Sequence, residues 1–348
     1  MIPSVVATQV RNCVSDYLHT TFRPTTPGFE GLMDRFLADP DNICRGPYIS
    51  IGLPFRHGTS GSDYFREIPL GFTPHLHQEL AFRRLSPPYY QSALIATGTG
   101  SGKTECFLLP ILEHCRQQQG ELGIKAILIY PMNALATDQA KRIAELIHNT
   151  PSLRGKITAG LYIGDQDETP TSVMGSDKII TDKRIIRESP PDLLLTNYKM
   201  LDYLLVQPDT QKLWSHNQPE TLRYIVVDEF HTFDGAQGTD LACLLRRLKH
   251  RLKTPLNHLA CVGTSATLGS NASQEDMLHY ATIIFQETFQ GGALIEEDRL
   301  TAAEFLQDAL LNVLPVPGVE AIAQLNPESH TSPEAYIRTQ AKLWLQDH

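Results

Sequence analysis

Between Ser92 and Thr104 the chain reads Ser-Ala-Leu-Ile-Ala-Thr-Gly-Thr-Gly-Ser-Gly-Lys-Thr, an apolar run, then three glycines within five residues, then a lysine and a threonine. Backbone amides of such a turn can close around phosphate oxygens, and the amino terminus of a following helix favours negative charge. Lys103 would reach the β and γ phosphates, and the Thr104 hydroxyl would ligate Mg²⁺. The expected phosphate-binding set is Thr97, Gly98, Thr99, Gly100, Ser101, Gly102, Lys103 and Thr104, with Thr97 standing where the usual pattern has Gly or Ala. A turn without a ligand is the competing reading, but three glycines would weaken such a turn to no purpose. A second apolar run, Leu222 to Val227, delivers Asp228, Glu229, Phe230 and His231. Ligands of open parallel sheets gather at the carboxyl ends of strands, so the two runs can meet at one site. There Asp228 would partner Mg²⁺, directly or through water, and Glu229 would orient and deprotonate an attacking water. The alternatives are a helix cap for the two acids and an ordinary structural imidazole for His231.

Those residues need strands covered on both faces to carry them. From about 75 to 268 short apolar runs recur at 92–96, 125–130, 157–162, 192–196, 222–228 and 258–263. Continuous runs of this kind, unlike alternating ones, fit a buried parallel sheet. Helix-period segments lie between them, for instance Phe107, Leu108, Ile111, Leu112 and Cys115, then Leu135, Ile143, Leu146 and Ile147. Strand and helix in alternation imply right-handed crossovers. Pro110 should bend the first of these helices. The fold class expected is therefore α/β, with a mostly parallel, doubly wound sheet over residues 71–270. An amino-terminal accessory module of residues 1–70, rich in Pro and Gly, precedes it. A helical extension over 271–348 follows.

The 348 residues carry 41% hydrophobic and 20% charged side chains and a net charge of −9. Disorder, collagen and a disulfide mini-scaffold are excluded, and the negative balance argues against a surface that traps nucleic acid over its whole area. Cys13, Cys44, Cys106, Cys115, Cys243 and Cys261 show no CxxC pair or Cys/His spacing, so neither a zinc site nor a disulfide framework is suggested. No stretch approaches the roughly 18 to 20 apolar residues of a membrane span. A cytoplasmic location and no membrane partner are expected.

Taken in order, the motifs resemble those of the first RecA-like domain of a superfamily 2 DEAD/DEAH-box helicase, a P-loop NTPase fold. Gly98 to Thr104 matches motif I, Tyr130 to Ala136 is similar to motif Ia, and Leu195 to Tyr198 is similar to motif Ib. Asp228 to His231 matches motif II in its DExH form, and Ser265, Ala266 and Thr267 match motif III. Gln78, upstream of the glycine-rich loop, resembles the glutamine that reads adenine. The finer spelling at 130–139, 196–201 and 228–248 is most similar to Lhr- and MrfA-type DNA helicases and bacterial genome-defence helicases. Residues 46–48 and 53–55 are weakly similar to their amino-terminal extension.

The resemblance implies ATP with Mg²⁺ and contacts to a nucleic-acid backbone by Pro131, Asn133, Thr196 and Asn197, which position a strand without reading its sequence. Helix capping is the alternative for Asn133 and Thr196. Ser265, Ala266 and Thr267 would couple hydrolysis to the nucleic-acid face, against a plain turn, and His231 would sense nucleotide state. The basic run Arg246 to Lys253 is either a solvated helix end or an auxiliary DNA patch. DNA is the expected partner, single-stranded or with a single-stranded end, with RNA second. The sequence runs to His348 without a QxxGRxxR-type motif, so a second RecA-like domain is expected from the same full-length chain or from a partner subunit. Since an arginine finger contributes roughly 10³ to 10⁵ in rate, this chain alone should bind ATP and turn it over poorly. The rival function is an ATP-dependent switch or binding module without unwinding, possible within a defence or nuclease complex.

Overall fold

The computed structural model describes residues 3–39, 42–43, 52–98, 100–164, 169–266, 274–306, 317–323, 325–326 and 329–345. Thr99, Thr267 and the segment 46–48 lie outside the described residues. Two compact units emerge, Pro54–Leu300 and a second made of Met1–Leu53 with Thr301–His348. The first unit extends past both composition breaks, at 70 and 270.

That unit is built on seven strands: β1 Ala93–Ala96, β2 Ala126–Tyr130, β3 Ala159–Tyr162, β4 Leu193–Asn197, β5 Tyr224–Val227, β6 Ala260–Ser265 and β7 Leu294–Glu296. They lie in the order β3-β4-β2-β5-β6-β1-β7 and every pairing is parallel. The period of two along each strand sorts the core into two layers. Ala93, Ile95, Leu128, Tyr130 and Val226 face one layer, and Leu94, Ile127, Ile129, Ile225 and Val227 face the other.

In the described chain the helices are α1 Pro3–Thr21, α2 Leu32–Leu37, α3 Leu76–Leu85, α4 Lys103–Gln117, α5 Asn133–Asn149, α6 Lys183–Glu188, α7 Tyr198–Val206, α8 Gly235–Leu252, α9 Gln274–Phe285, α10 Ala302–Leu306, α11 Val319–Ala323 and α12 Pro333–Leu345. Side chains of α3, α4 and α5 fill the first layer, while those of α7, α8 and α9 fill the second. This is the doubly wound α/β sheet expected. α4 runs on through Pro110, which is buried within it.

Two elements depart from the sequence reading. β7 adds a parallel edge strand beside β1 in a stretch read only as helical. α1 is a helix of 19 residues inside the segment read as a module rich in Pro and Gly, and none of its described side chains is buried. The unit of Met1–Leu53 and Thr301–His348 also contains α2, α10, α11 and α12, and Tyr17, Phe22, Phe29 and Phe36 within it are exposed. Among the described residues no helix is long and apolar enough to cross a membrane.

At the amino-terminal ends of the strands, one buried ion pair ties three of them together. Lys125 Nζ lies 2.6 Å from Asp192 Oδ1 and donates to the Glu121 carbonyl, also at 2.6 Å. Asp192 Oδ2 accepts the Thr158 amide at 2.8 Å and its hydroxyl at 3.0 Å. Close by, the His114 ring packs edge-on against Tyr90 and Tyr224, with Nδ1 3.1 Å from the Tyr90 hydroxyl. Burial first, then the charges of Arg223, Lys125 and His258, bring its pKa down to about 4.

Lys125→Met strands a carboxylate, and loss of one partner of a buried pair costs about 3 kcal/mol or more. Arg247→Ala at the half-exposed Asp202 pair costs under about 1 kcal/mol. Urea unfolding of both variants measures the contrast. His114 stays neutral in the fold while the unfolded chain takes up a proton below its ordinary pKa near 6.5, so stability is lost as pH falls. The loss runs from about pH 6.5 to about pH 4 and amounts to about 3 kcal/mol. His114→Phe should flatten that part of the pH–stability curve.

Candidate nucleotide site

β1 ends at Ala96, and the next amide, Thr97 N–H, donates to the Ser265 carbonyl at the end of β6, 3.2 Å away. The Ser101 hydroxyl donates to the Thr97 hydroxyl at 2.8 Å, and both side chains are buried. A Gly or Ala at 97 could not supply that acceptor, which gives the departure from the usual pattern a physical reason. Gly100 and Gly102 have φ of +81° and +78°, the left-handed region that favours glycine. Gly102 caps the start of α4, and a Cβ there would fall 2.2 Å from Gln78 Nε2.

α3 lies against the other side of the loop. Gln78 Nε2 donates to the Gly102 carbonyl at 3.2 Å, its Oε1 accepts the His75 amide at 2.9 Å, and His77 Nε2 donates to the Ser101 carbonyl at 2.9 Å. Burial is the main reason that the His77 pKa lies below the ordinary value, so the ring is neutral near pH 7.

The acidic strand end sits one strand away. β6 separates β1 from β5, which places the two strand ends about 10 Å apart. The Thr264 hydroxyl donates to Asp228 Oδ1 and accepts the Glu229 amide at 3.2 Å. Glu229 turns the chain sharply, at φ +49° and ψ +48°, and its Oε1 lies 3.9 Å from Lys103 Nζ. His231 Nδ1 is 3.1 Å from the Ser265 hydroxyl and 3.4 Å from Glu229 Oε2. Lys103, Asp228, Glu229, His231 and Ser265 are thus brought to one place, and Ala266 follows directly.

These residues fit a triphosphate with Mg²⁺. The first amides of α4 have no acceptor within the helix, Gly102 opens the cradle in front of them, and Lys103 is the first helical residue. Among the described residues no cluster of three or more His, Cys, Asp or Glu could hold a metal by itself. Mg²⁺ is commonly held by one or two protein oxygens together with phosphates and water, and the Thr104 hydroxyl and the Asp228 carboxylate are oxygens of the kind that would hold it.

At the ends of β2 and β4 the structure sorts the nucleic-acid candidates. Tyr130 and Asn197 are register partners, so Pro131, Asn133 and Asn197 lie side by side. Asn197 Oδ1 caps α7 through the Met200 amide at 2.8 Å, and its Nδ2 donates to Asn133 Oδ1 at 2.7 Å. Asn133 is the first residue of α5; the cap position belongs to Met132. Thr196 is fully buried and its hydroxyl donates to the Tyr162 carbonyl at 2.7 Å. Its side chain braces β3 against β4.

Three side chains of the basic run have partners in the fold, while Arg251 and Lys253 are exposed. Arg246 donates to the Ile283 carbonyl, Arg247 pairs with Asp202, and Lys249 holds Glu287 at 2.6 Å together with the Phe285 and Gln286 carbonyls. The sequence reading missed Thr264 and Glu297. Thr264 directly precedes the motif III residues, a signal that was available. Glu297 Oε2 accepts the Gly98 amide at 2.9 Å from a short edge strand with no such signal.

Residues 75–275, more than half of the chain, match the DEAD/DEAH box helicase family. The chain is 25% identical over 363 aligned positions to the Druantia protein DruE of Escherichia coli (strain UMEA 4076-1), covering 73% of this chain and 20% of that protein. It is 30% identical over 196 positions to the uncharacterized ATP-dependent helicase YprA of Bacillus subtilis (strain 168), covering 56% and 23%. The chain therefore spans a quarter or less of the length of these relatives. The solved structure of the DUF1998 helicase MrfA bound to DNA and AMPPNP superposes with a TM-score of 0.53 at 24% identity over 72% of this chain and 31% of that one. At this identity the likeness shows the fold, a RecA-like domain.

Gly102→Ala forces a side chain into the left-handed region, which costs about 1–2 kcal/mol, and onto Gln78. Urea unfolding should show that loss, and equilibrium binding of a fluorescent ATP analogue should weaken by at least about tenfold, the factor that about 1.4 kcal/mol represents.

Proposed function

Because the chain belongs to the DEAD/DEAH box helicase family, we propose that it is the amino-terminal ATP-binding half of a nucleic-acid-dependent ATPase, a DNA helicase or translocase. The observation that carries this reading is the 3.9 Å approach of Lys103 to Glu229, next to Asp228, across the ends of β1 and β5.

In this reading Lys103 and the loop amides bind and orient the β and γ phosphates. Thr104 and Asp228 are the residues that would hold Mg²⁺, whose charge neutralises the phosphate oxygens. Glu229 accepts the proton of the attacking water; the left-handed turn and the Thr264 contact to its amide hold the carboxylate near Lys103. Gln78, which the family resemblance assigns to adenine, would reach the base by exchanging its bonds to the Gly102 carbonyl and the His75 amide. His231 and Ser265, already hydrogen-bonded, pass a change at the γ phosphate to Ala266 and onward. Pro131, Asn133 and Asn197 contact a nucleic-acid backbone, with the amino termini of α5 and α7 as further donors.

DNA is the proposed track, in keeping with the DNA in the MrfA structure. A second RecA-like domain supplies the arginine for the γ phosphate and the opening and closing needed for movement.

Lys103→Ala and Glu229→Gln, each made in the longest natural form of the protein, should lower DNA-stimulated ATP hydrolysis by about 10²-fold or more. Survival of the stimulated rate in either variant overturns the mechanism. Hydrolysis that neither single-stranded DNA nor RNA accelerates would favour an ATP-dependent switch without strand separation.

A further inference from the structure

The phosphate loop is held from two sides, and only one of them belongs to the motifs described above. On the α3 side, His77 and Gln78 hold the carbonyls of Ser101 and Gly102. On the β7 side, the carboxylate of Glu297 holds the Gly98 amide. Glu297 is in turn held by Arg299, whose Nε donates to Glu297 Oε1 at 2.9 Å. The Arg299 guanidinium lies over the Phe55 ring, 4.0 Å from its centroid. Phe55 packs against the rings of His75 and His77 at 5.0 and 5.5 Å. The contacts therefore run from Gly98 through Glu297, Arg299 and Phe55 to His77 and back to Ser101.

A carboxylate at this place needs an explanation. An acid beside a loop that binds a polyanion opposes binding, by an amount that falls with distance and screening. An uncharged acceptor could hold the Gly98 amide without that cost. Arg299 supplies the compensation: burial works against the charge on Glu297, yet the Arg299 hydrogen bond and the Gly98 amide more than offset it, and its pKa lies below the ordinary value. The side chains are about one-third exposed, 31% for Glu297 and 35% for Arg299, so the pair remains open to a change of partner when a charged ligand arrives.

We propose that Glu297 and Arg299 are positioning residues for the nucleotide: Glu297 fixes the first limb of the phosphate loop through Gly98, and Arg299 cancels its charge and anchors it on Phe55. This rests on the proposed ATP-binding reading and deepens it. Removal of the arginine alone leaves an uncompensated carboxylate at the loop, whereas removal of both charges leaves a neutral acceptor still able to take the Gly98 amide.

The test uses the longest natural form of the protein, with ATP-analogue affinity by equilibrium fluorescence and kcat and KM for DNA-stimulated hydrolysis. Arg299→Gln should raise Kd and KM for ATP by roughly five- to tenfold with kcat within about twofold, the size of one partly screened charge near the site. The double variant Glu297→Gln with Arg299→Gln should bring Kd back to within about threefold of the parent. Glu297→Ala, which lacks any acceptor, should lower kcat while Glu297→Gln retains it. If Arg299→Gln leaves Kd and KM unchanged in a folded protein, or the double variant is no better than the single, the proposal is overturned. Failure of the parent protein to bind ATP, or binding that survives Lys103→Ala, would instead defeat the nucleotide reading itself, so the two failures are separable.

Discussion

One hydroxyl group braces the acids within the strand spacing on which the site depends. Thr264 stands at the end of β6, between the strand that carries the phosphate loop and the strand that carries the acids. It donates to Asp228 and accepts the Glu229 amide, while the following carbonyl, that of Ser265, accepts the Thr97 amide. The middle strand is thus cross-braced to both neighbours beyond the last regular ladder bonds. A strand spacing of about 4.8 Å cannot be adjusted without breaking those ladders, so the gap between Lys103 and the acids is set by backbone pairing before any side chain contributes.

Glu229 shows how a local cost is accepted within that frame. A non-glycine residue in the left-handed region costs about 1–2 kcal/mol and persists only where the surroundings demand it. Its carbonyl accepts the Thr232 amide at 2.8 Å and the Thr232 hydroxyl at 2.8 Å, which closes a short turn. The turn lets consecutive residues serve different neighbours: Asp228 meets Thr264, Glu229 faces Lys103, and His231 reaches Ser265. Phe230 between them is buried and stacks on Phe285 of α9 at 5.2 Å. Gly263 lies against the same ring, where a Cβ would approach within 3.1 Å. The packing of that ring restrains the turn from below.

Much of this was legible because parallel strands buried on both faces leave continuous apolar runs, and because glycines with Lys-Thr have few other uses. The runs at 92–96, 125–130 and 222–228 became β1, β2 and β5 at nearly those bounds. β7 was illegible for the opposite reason: an edge strand of three residues, with Leu294 and Glu296 partly or fully exposed, has no run to find. α1 was hidden by the exposure of its described side chains, which leaves no strong apolar stripe. The burial of Thr196 and its bond to the Tyr162 carbonyl were not legible, because sequence shows a threonine at a strand end and not which way it faces. Glu297 belongs to the loop only through a strand pairing that spans some two hundred residues of sequence.

The net charge of −9 bears on how such a domain holds an anionic polymer. Arg246, Arg247 and Lys249 of the basic run already have partners in the fold, while Arg251 and Lys253 stay exposed. For the proposed contact to nucleic acid, the carboxyl ends of β2 and β4 offer another means: two helix amino termini side by side, whose first-turn amides beyond the capped Met200 lack acceptors within the helix and whose shared field favours negative charge. The Asn133–Asn197 hydrogen bond holds those two termini in register. Donors fixed in this way are aligned before a ligand arrives and need no side-chain ordering, so a polar, weakly charged surface can position a strand where mobile lysines would have to lose entropy to do so.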